Sequence, residues 1–132
     1  MEGNTSPEND GFQGTSKLLS PLEASQLLTD EYSAKILLAT YKRKISAQEI
    51  SQRYGIPIAA CYRKIHELEE AGFLNVAQIV TTPKGKTMKL YRSLLKSAQL
   101  VYQEGVFKVK FEFDVEKEIN GKWIELNAAL DS

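Results

Sequence analysis

Residues 46–74, SAQEISQRYGIPIAACYRKIHELEEAGFL, carry two helix starts and two helix stops within 29 positions. Ser46-Ala47-Gln48-Glu49 reads as a capping box: the Ser46 hydroxyl accepts from the Glu49 amide while the Glu49 carboxylate reaches back to the Ser46 amide. A short helix over about 47–54 follows, burying Ile50 with help from Tyr54. Gly55 ends it, because the tight turn wants a residue tolerant of positive φ. Ile56 packs in the turn, and Pro57 suits the first position of the next helix, where a missing N–H costs nothing. Cys61, Ile65 and Leu68 then fall at i, i+4 and i+7 as an inward stripe. Gly72 stops that helix and Phe73-Leu74 enter the core. Two helices joined by a glycine-bearing turn of three or four residues form a helix-turn-helix.

On the N-terminal side, apolar positions at Tyr32, Ile36, Leu37 and Ala39–Thr40 predict a helix from about Asp30 to Tyr41, capped by Thr29 or Asp30. Ser20 and Pro21 suit the N-cap and first position of a short helical turn through Leu28. Residues 1–20 are polar and acidic, with little apolar periodicity, and read as a disordered tail. On the C-terminal side, Leu74–Thr82 and Thr87–Ser93 read as strands, rich in Val, Ile, Thr and Tyr, around the turn Pro83-Lys84-Gly85-Lys86. Gln99–Gln103 and Val106–Glu116 predict a second hairpin turned at Glu104-Gly105. In it Phe107, Val109, Phe111, Phe113 and Val115 alternate with charged residues, as in a half-buried strand. Trp123, Ile124, Leu126 and Leu130 suggest a short closing strand or helix. The expected fold is α+β: three helices plus a β-hairpin wing over residues 21–96, with an additional antiparallel β-hairpin over residues 97–132.

The 132 residues carry 17 basic and 17 acidic side chains, so the formal net charge is zero, yet the charges are segregated. Residues 1–34 hold six acids and one cation, residues 35–96 hold twelve cations and four acids, and residues 97–132 hold seven acids and four cations. A basic centre between acidic ends is the layout of a nucleic-acid reader. No apolar run approaches the ~20 residues of a membrane span. The polar N-terminus matches neither a signal peptide nor a transit sequence, and the single cysteine allows no internal disulfide, which together predict a cytoplasmic protein.

Taken together, Ser46–Ile50, Gly55-Ile56, Cys61–Ile65 and Leu68–Leu74 resemble the winged helix domains of arsenical-repressor-like (ArsR-type) regulators, especially compact archaeal versions with a Tyr-Arg pair in the recognition helix. The resemblance covers residues 30–93. It implies a transcriptional regulator that places its third helix in the major groove of double-stranded DNA, and dimerisation. Two departures stand out. The recognition helix opens on Pro57-Ile58-Ala59-Ala60, where such proteins usually carry polar residues, and the paired cysteines of metal-sensing members are absent.

With Cys61, Ile65 and Leu68 inward, the third helix would present Ala59, Tyr62, Arg63 and His66, with Ile58 at its leading edge. Arg63 suits a bidentate contact to guanine, Tyr62 a phosphate or the groove wall, and Lys64 a phosphate. Ile58 and Ala59 suit thymine methyl groups. Lys84 and Lys86 would approach the backbone or minor groove, and Lys42, Arg43, Lys44 and Arg53 would add phosphate contacts. The plainer readings are that Tyr62 belongs partly to the core, that the Lys-Gly-Lys turn is a solvated tip, and that Arg63 pairs with Glu67. His66 and Cys61 are the only residues of their kinds and point apart, so no metal site is expected. No catalytic constellation, cofactor motif or ligand pocket is expected either. The rival reading is a protein-interaction winged helix with weak DNA affinity, suggested by the apolar helix start and acidic flanks. A lone hairpin cannot bury the Phe107–Val115 row, which predicts packing on the helices or a symmetric homodimer through the C-terminal region.

Overall fold

The computed structural model describes residues 19–125, so the N-terminal tail up to residue 18 and the closing positions Leu126 and Leu130 lie outside it. Helix α1 spans Pro21–Thr29. Its start is a complete capping box: the Ser20 amide donates to Glu23 Oε1 and the Glu23 amide to Ser20 Oγ, each at 3.1 Å. Ala24 and Ser25 on its inner side are buried. The short turn expected here is thus a nine-residue helix, and the described residues hold four helices rather than three.

Helix α2, Glu31–Lys42, starts and ends one residue later than its periodicity predicts. Asp30 is the cap, its carboxylate accepting from the Ser33 amide at 3.0 Å. Ile36, Leu37, Ala39 and Thr40 are buried, and the Thr40 hydroxyl is satisfied by donating to the Ile36 carbonyl at 2.7 Å. A two-residue strand, β1 (Ile45–Ser46), precedes helix α3 (Ala47–Tyr54) and helix α4 (Ile58–Glu70).

Strand β2, Leu74–Thr81, pairs antiparallel with β3, Thr87–Ser93, in the register Leu74↔Ser93 to Thr81↔Thr87 with an irregularity between Val76 and Gln78. β3 also pairs with β1, giving the order β1-β3-β2. One residue, Leu94, separates β3 from β4, Leu95–Gln103. β4 turns through Glu104-Gly105 into β5, Val106–Phe113, and β6, Trp123–Glu125, pairs on the far side of β5. The second pair therefore begins earlier and ends earlier than the alternation of residues suggests. Val115 is exposed because the strand stops at Phe113, where Asn120 Oδ1 accepts from the Phe113 amide at 2.7 Å.

The two sheets share one core. Val109, Phe111 and Phe113 are buried in the same cluster as Ala24, Ile36, Ile65, Leu68 and Phe73, and β5 lies against α1. The Phe73 ring centroid is 5.4 Å from that of Phe111 and 6.0 Å from that of Phe113, within the range of favourable aromatic pairs. Val109, Phe111 and Phe113 are therefore covered within one chain, while Phe107 is half-buried. Lys117 adds a polar tie: its ammonium donates to the Gly72 carbonyl at 2.6 Å and lies 4.1 Å from the Phe113 ring centre. Burial holds its pKa below the usual lysine range.

Two outcomes follow from this packing. Phe111→Ala should cost about 3–5 kcal/mol in urea unfolding, while Tyr102→Ala, on a side chain 78% exposed in the same sheet, should stay within about 0.5 kcal/mol. Equal effects would mean that the second sheet is not part of the core. At the α2 cap, burial raises the Asp30 pKa, but the Ser33 amide and nearby Lys64 outweigh it, so the net shift is downward from 3.8. The cap's contribution is then whole above the unfolded pKa and lost as pH falls through the folded one. Asp30→Asn should flatten that acid loss, and Asp30→Ala should cost about 1 kcal/mol at neutral pH.

Candidate nucleic-acid interface

The turn between α3 and α4 determines where α4 points. Gly55 adopts φ 67° and ψ 36°, and its amide donates to the Ser51 carbonyl. The Ile56 amide donates to the same carbonyl at 3.1 Å, and the Ser51 hydroxyl donates to the Ile56 carbonyl. Ile56 is buried, so the turn is anchored at its centre. Pro57 sits at the N-cap of α4 and not at the first helical position, with Ile58 beginning the helix. Proline has no side-chain acceptor, so this end of α4 lacks a side-chain cap.

Inward, α4 buries Cys61, Ile65 and Leu68. The Cys61 thiol donates to the Ala47 carbonyl at 3.6 Å, and burial pushes its pKa up, so it behaves as a core residue. Outward, Ile58, Ala59, Tyr62, Arg63 and His66 are all exposed. Tyr62 is 44% exposed, too much for a core residue. Arg63 does not pair with Glu67, and among the described residues no carboxylate lies within ion-pair distance of it. His66 Nε2 is 3.2 Å from Glu70 one turn on.

Lys64, expected at a phosphate, lies elsewhere than the other residues of that group. It is the side chain turned toward the other helices, 19% exposed, with its ammonium 3.6 Å from Asp30 and 3.5 Å from Glu67. The helical period explains this: one residue before Ile65, Lys64 lies on the flank facing the start of α2, opposite Tyr62.

The remaining cations fall into two groups. Lys84 and Lys86 are exposed at the β2–β3 turn, whose shape is set by Gly85 at φ 85° and by the Thr82 hydroxyl accepting from the Lys86 amide at 3.1 Å. Among the described residues neither has an acidic partner. Arg43 and Arg53 converge on Glu49, Arg53 at 2.7 Å, and the Arg43 hydrogen bond, seconded by Arg53, holds the Glu49 carboxyl below its usual range. The capping box at Ser46 is accordingly only half made. Ser46 Oγ accepts from the Glu49 amide at 3.2 Å, while the Glu49 carboxylate is taken by the two arginines and Ser46 itself is in β1. Lys44 donates to Gln78 Oε1 at 2.8 Å, and Lys42 is exposed at the end of α2.

Between α4 and the first sheet runs a cleft of about 300 Å³ lined by Ala47, Gln48, Tyr62, Thr87, Met88, Lys89 and Tyr91. Lys89 and Gln48 were not among the residues singled out from the sequence. Strand alternation from buried Tyr91 is the signal that places Lys89 on the cleft side. Burial raises the Tyr91 pKa, with Glu69 adding to it, so that phenol stays protonated at neutral pH. Among the described residues no group of three or more metal-ligating side chains occurs, and no helix is long and apolar enough to cross a membrane.

Because Gly55 is left-handed, Gly55→Ala should lose about 1–2 kcal/mol in thermal unfolding, although a methyl group there meets open space. An unchanged Tm would show that the turn relaxes without strain. No curated protein matches the chain. Residues 28–77 match the model of a family described as a helix-turn-helix domain, a span that takes in α2, α3 and α4 and ends in β2.

Proposed function

We propose that the chain is a DNA-binding transcription regulator of winged helix-turn-helix type, with α4 entering the major groove and the β2–β3 turn lying on the adjacent backbone or minor groove. The carrying observation is the outer face of α4, where Ala59, Tyr62, Arg63 and His66 stand together in solvent and Arg63 has no competing carboxylate among the described residues. The match of residues 28–77 to a helix-turn-helix domain supports the same reading. Arg63 carries base readout, since an unpaired guanidinium can form two hydrogen bonds to one guanine. Lys84 and Lys86 carry sequence-independent affinity through phosphate contacts. Lys89 and Gln48, beside Tyr62 in the cleft, supply further polar contacts along the groove wall. Arg43 and Arg53 contribute less than free cations, because Glu49 already neutralises part of their charge. Lys64 positions α4 against α2 and takes no part in DNA contact. The functional unit is a homodimer, which sets two α4 helices about 34 Å apart on two half-sites.

The rival reading, an interaction module with little DNA affinity, draws on a different observation. Ile58 is 45% exposed, so the leading end of α4 presents apolar surface beside Tyr62.

Selection of bound sequences from random duplex DNA at two salt concentrations separates them. A regulator yields an enriched motif, and an interaction module yields no binding. In titrations with a selected site, Arg63→Ala should cost about 1–3 kcal/mol and relax preference at one base position. Lys84→Ala with Lys86→Ala should weaken binding to all sequences and lower the salt slope by about 2. Salt-independent binding indifferent to all three substitutions would overturn the assignment.

A further inference from the structure

Strand β4 is a nine-residue edge. In the second sheet the order is β4-β5-β6, and among the described residues nothing pairs with the outer side of β4. Every second residue there turns an amide and a carbonyl outward, which is a template for another strand. Edge strands are normally defended by prolines, bulges or charges. The stretch LKSAQLVYQ has no proline, one charge at Lys96, and its single irregularity at the start, between Leu95 and Ser97. β2, the long edge strand of the other sheet, is interrupted mid-strand between Val76 and Gln78 and leads into the cationic turn.

The side chains of β4 add a second reason. Ala98, Leu100 and Tyr102 oppose Phe111, Val109 and Phe107, so they share the face whose inner part is buried. That face runs past the helices that cover it: Leu100 is 38% exposed and Tyr102 78%. Apolar surface continuing outward from a core toward an unpaired edge calls for an extension of the same sheet.

We infer that β4 pairs antiparallel with β4 of a second copy of this chain, about a two-fold axis at Gln99, making one continuous six-stranded sheet. The occupant is identified by how the strand complements itself. With Gln99 opposite Gln99 of the second copy, Ala98 faces Leu100, Ser97 faces Val101 and Lys96 faces Tyr102. Small residues thus meet large ones, and the cation meets an aromatic ring. The two Lys96 residues are then six positions apart along the strands, about 20 Å, beyond the ~10 Å over which charges act in ordinary buffer. No like charges oppose one another anywhere along the edge. This inference deepens the paired half-site reading above by naming the surface that makes the pair.

Sedimentation at micromolar concentration, combined with cysteine cross-linking, tests it on the full chain. The wild type should sediment at twice the monomer mass. Gln99→Cys should form a covalent dimer on mild oxidation, since directly opposite Cβ atoms lie about 4.5–5.5 Å apart and Cys61 is buried away from oxidant. Thr81→Cys, at the end of β2, should not. Leu100→Lys with Tyr102→Lys changes side chains at the outer end of that face, so it should keep the wild-type circular dichroism spectrum while weakening dimerisation at least about tenfold. A monomeric wild type, a dimer that survives the double substitution, or cross-linking at Thr81→Cys but not Gln99→Cys would each overturn the inference. A monomeric double variant that still binds a single half-site leaves the DNA reading intact. A dimer cross-linked at Gln99 with no affinity for duplex DNA sinks that reading and leaves the β4 pairing standing.

Discussion

Phe73 is the residue on which the rest of the molecule turns. It follows the glycine that ends α4, and it is 3% exposed, stacked on Phe113 and tilted against Phe111. Its amide donates to the Leu68 carbonyl and its carbonyl accepts from the Leu94 amide at 2.9 Å. One side chain and two backbone groups therefore join the last turn of α4, the exit of β3 and the middle of the second sheet. Burying three aromatic rings in mutual contact outweighs any single polar contact in this region. Lys117 supports the junction from the other side by holding the Gly72 carbonyl.

This arrangement divides α4 into two working faces. Cys61, Ile65 and Leu68 bind it to the core, and Lys64 holds its flank to the Asp30 cap of α2. The opposite face is left to solvent, with Arg63 unpaired among the described residues. A side chain that reads DNA must be free while the helix carrying it is held, and the division of contacts along α4 meets both conditions. Glu49 does something similar in reverse for Arg43 and Arg53, gathering two cations that would otherwise repel one another.

Local chemistry made the helices and the helix-turn-helix legible from residues alone. Ser20, Asp30 and Ser46 are cap residues acting within four positions, and Gly55 meets a need of its own backbone. The misreadings share a different cause. That the Glu49 carboxylate would leave Ser46 depends on Arg43 arriving from the end of α2 to join Arg53, which lies one turn on in α3 itself. That Lys64 would face inward depends on where α2 packs. β1 was invisible because two residues have no period, and it exists only through pairing with β3. The Phe107–Phe113 row was legible as a buried face, but its cover was not. Phe73 and α1 lie far from it in sequence, and alternation specifies a face without naming what rests on it.

Leu94, the single residue between β3 and β4, has a mechanical consequence. It is hydrogen-bonded on both sides, to Phe73 and, through its carbonyl, to the Asp114 amide at 2.9 Å. A connector this short, pinned at both ends, has no slack. Tension or rotation applied to the second sheet is delivered along the strand axis into β3, and so to the basic turn at its start, instead of being absorbed in a loop. The two sheets are geared together, with Leu94 as the tooth.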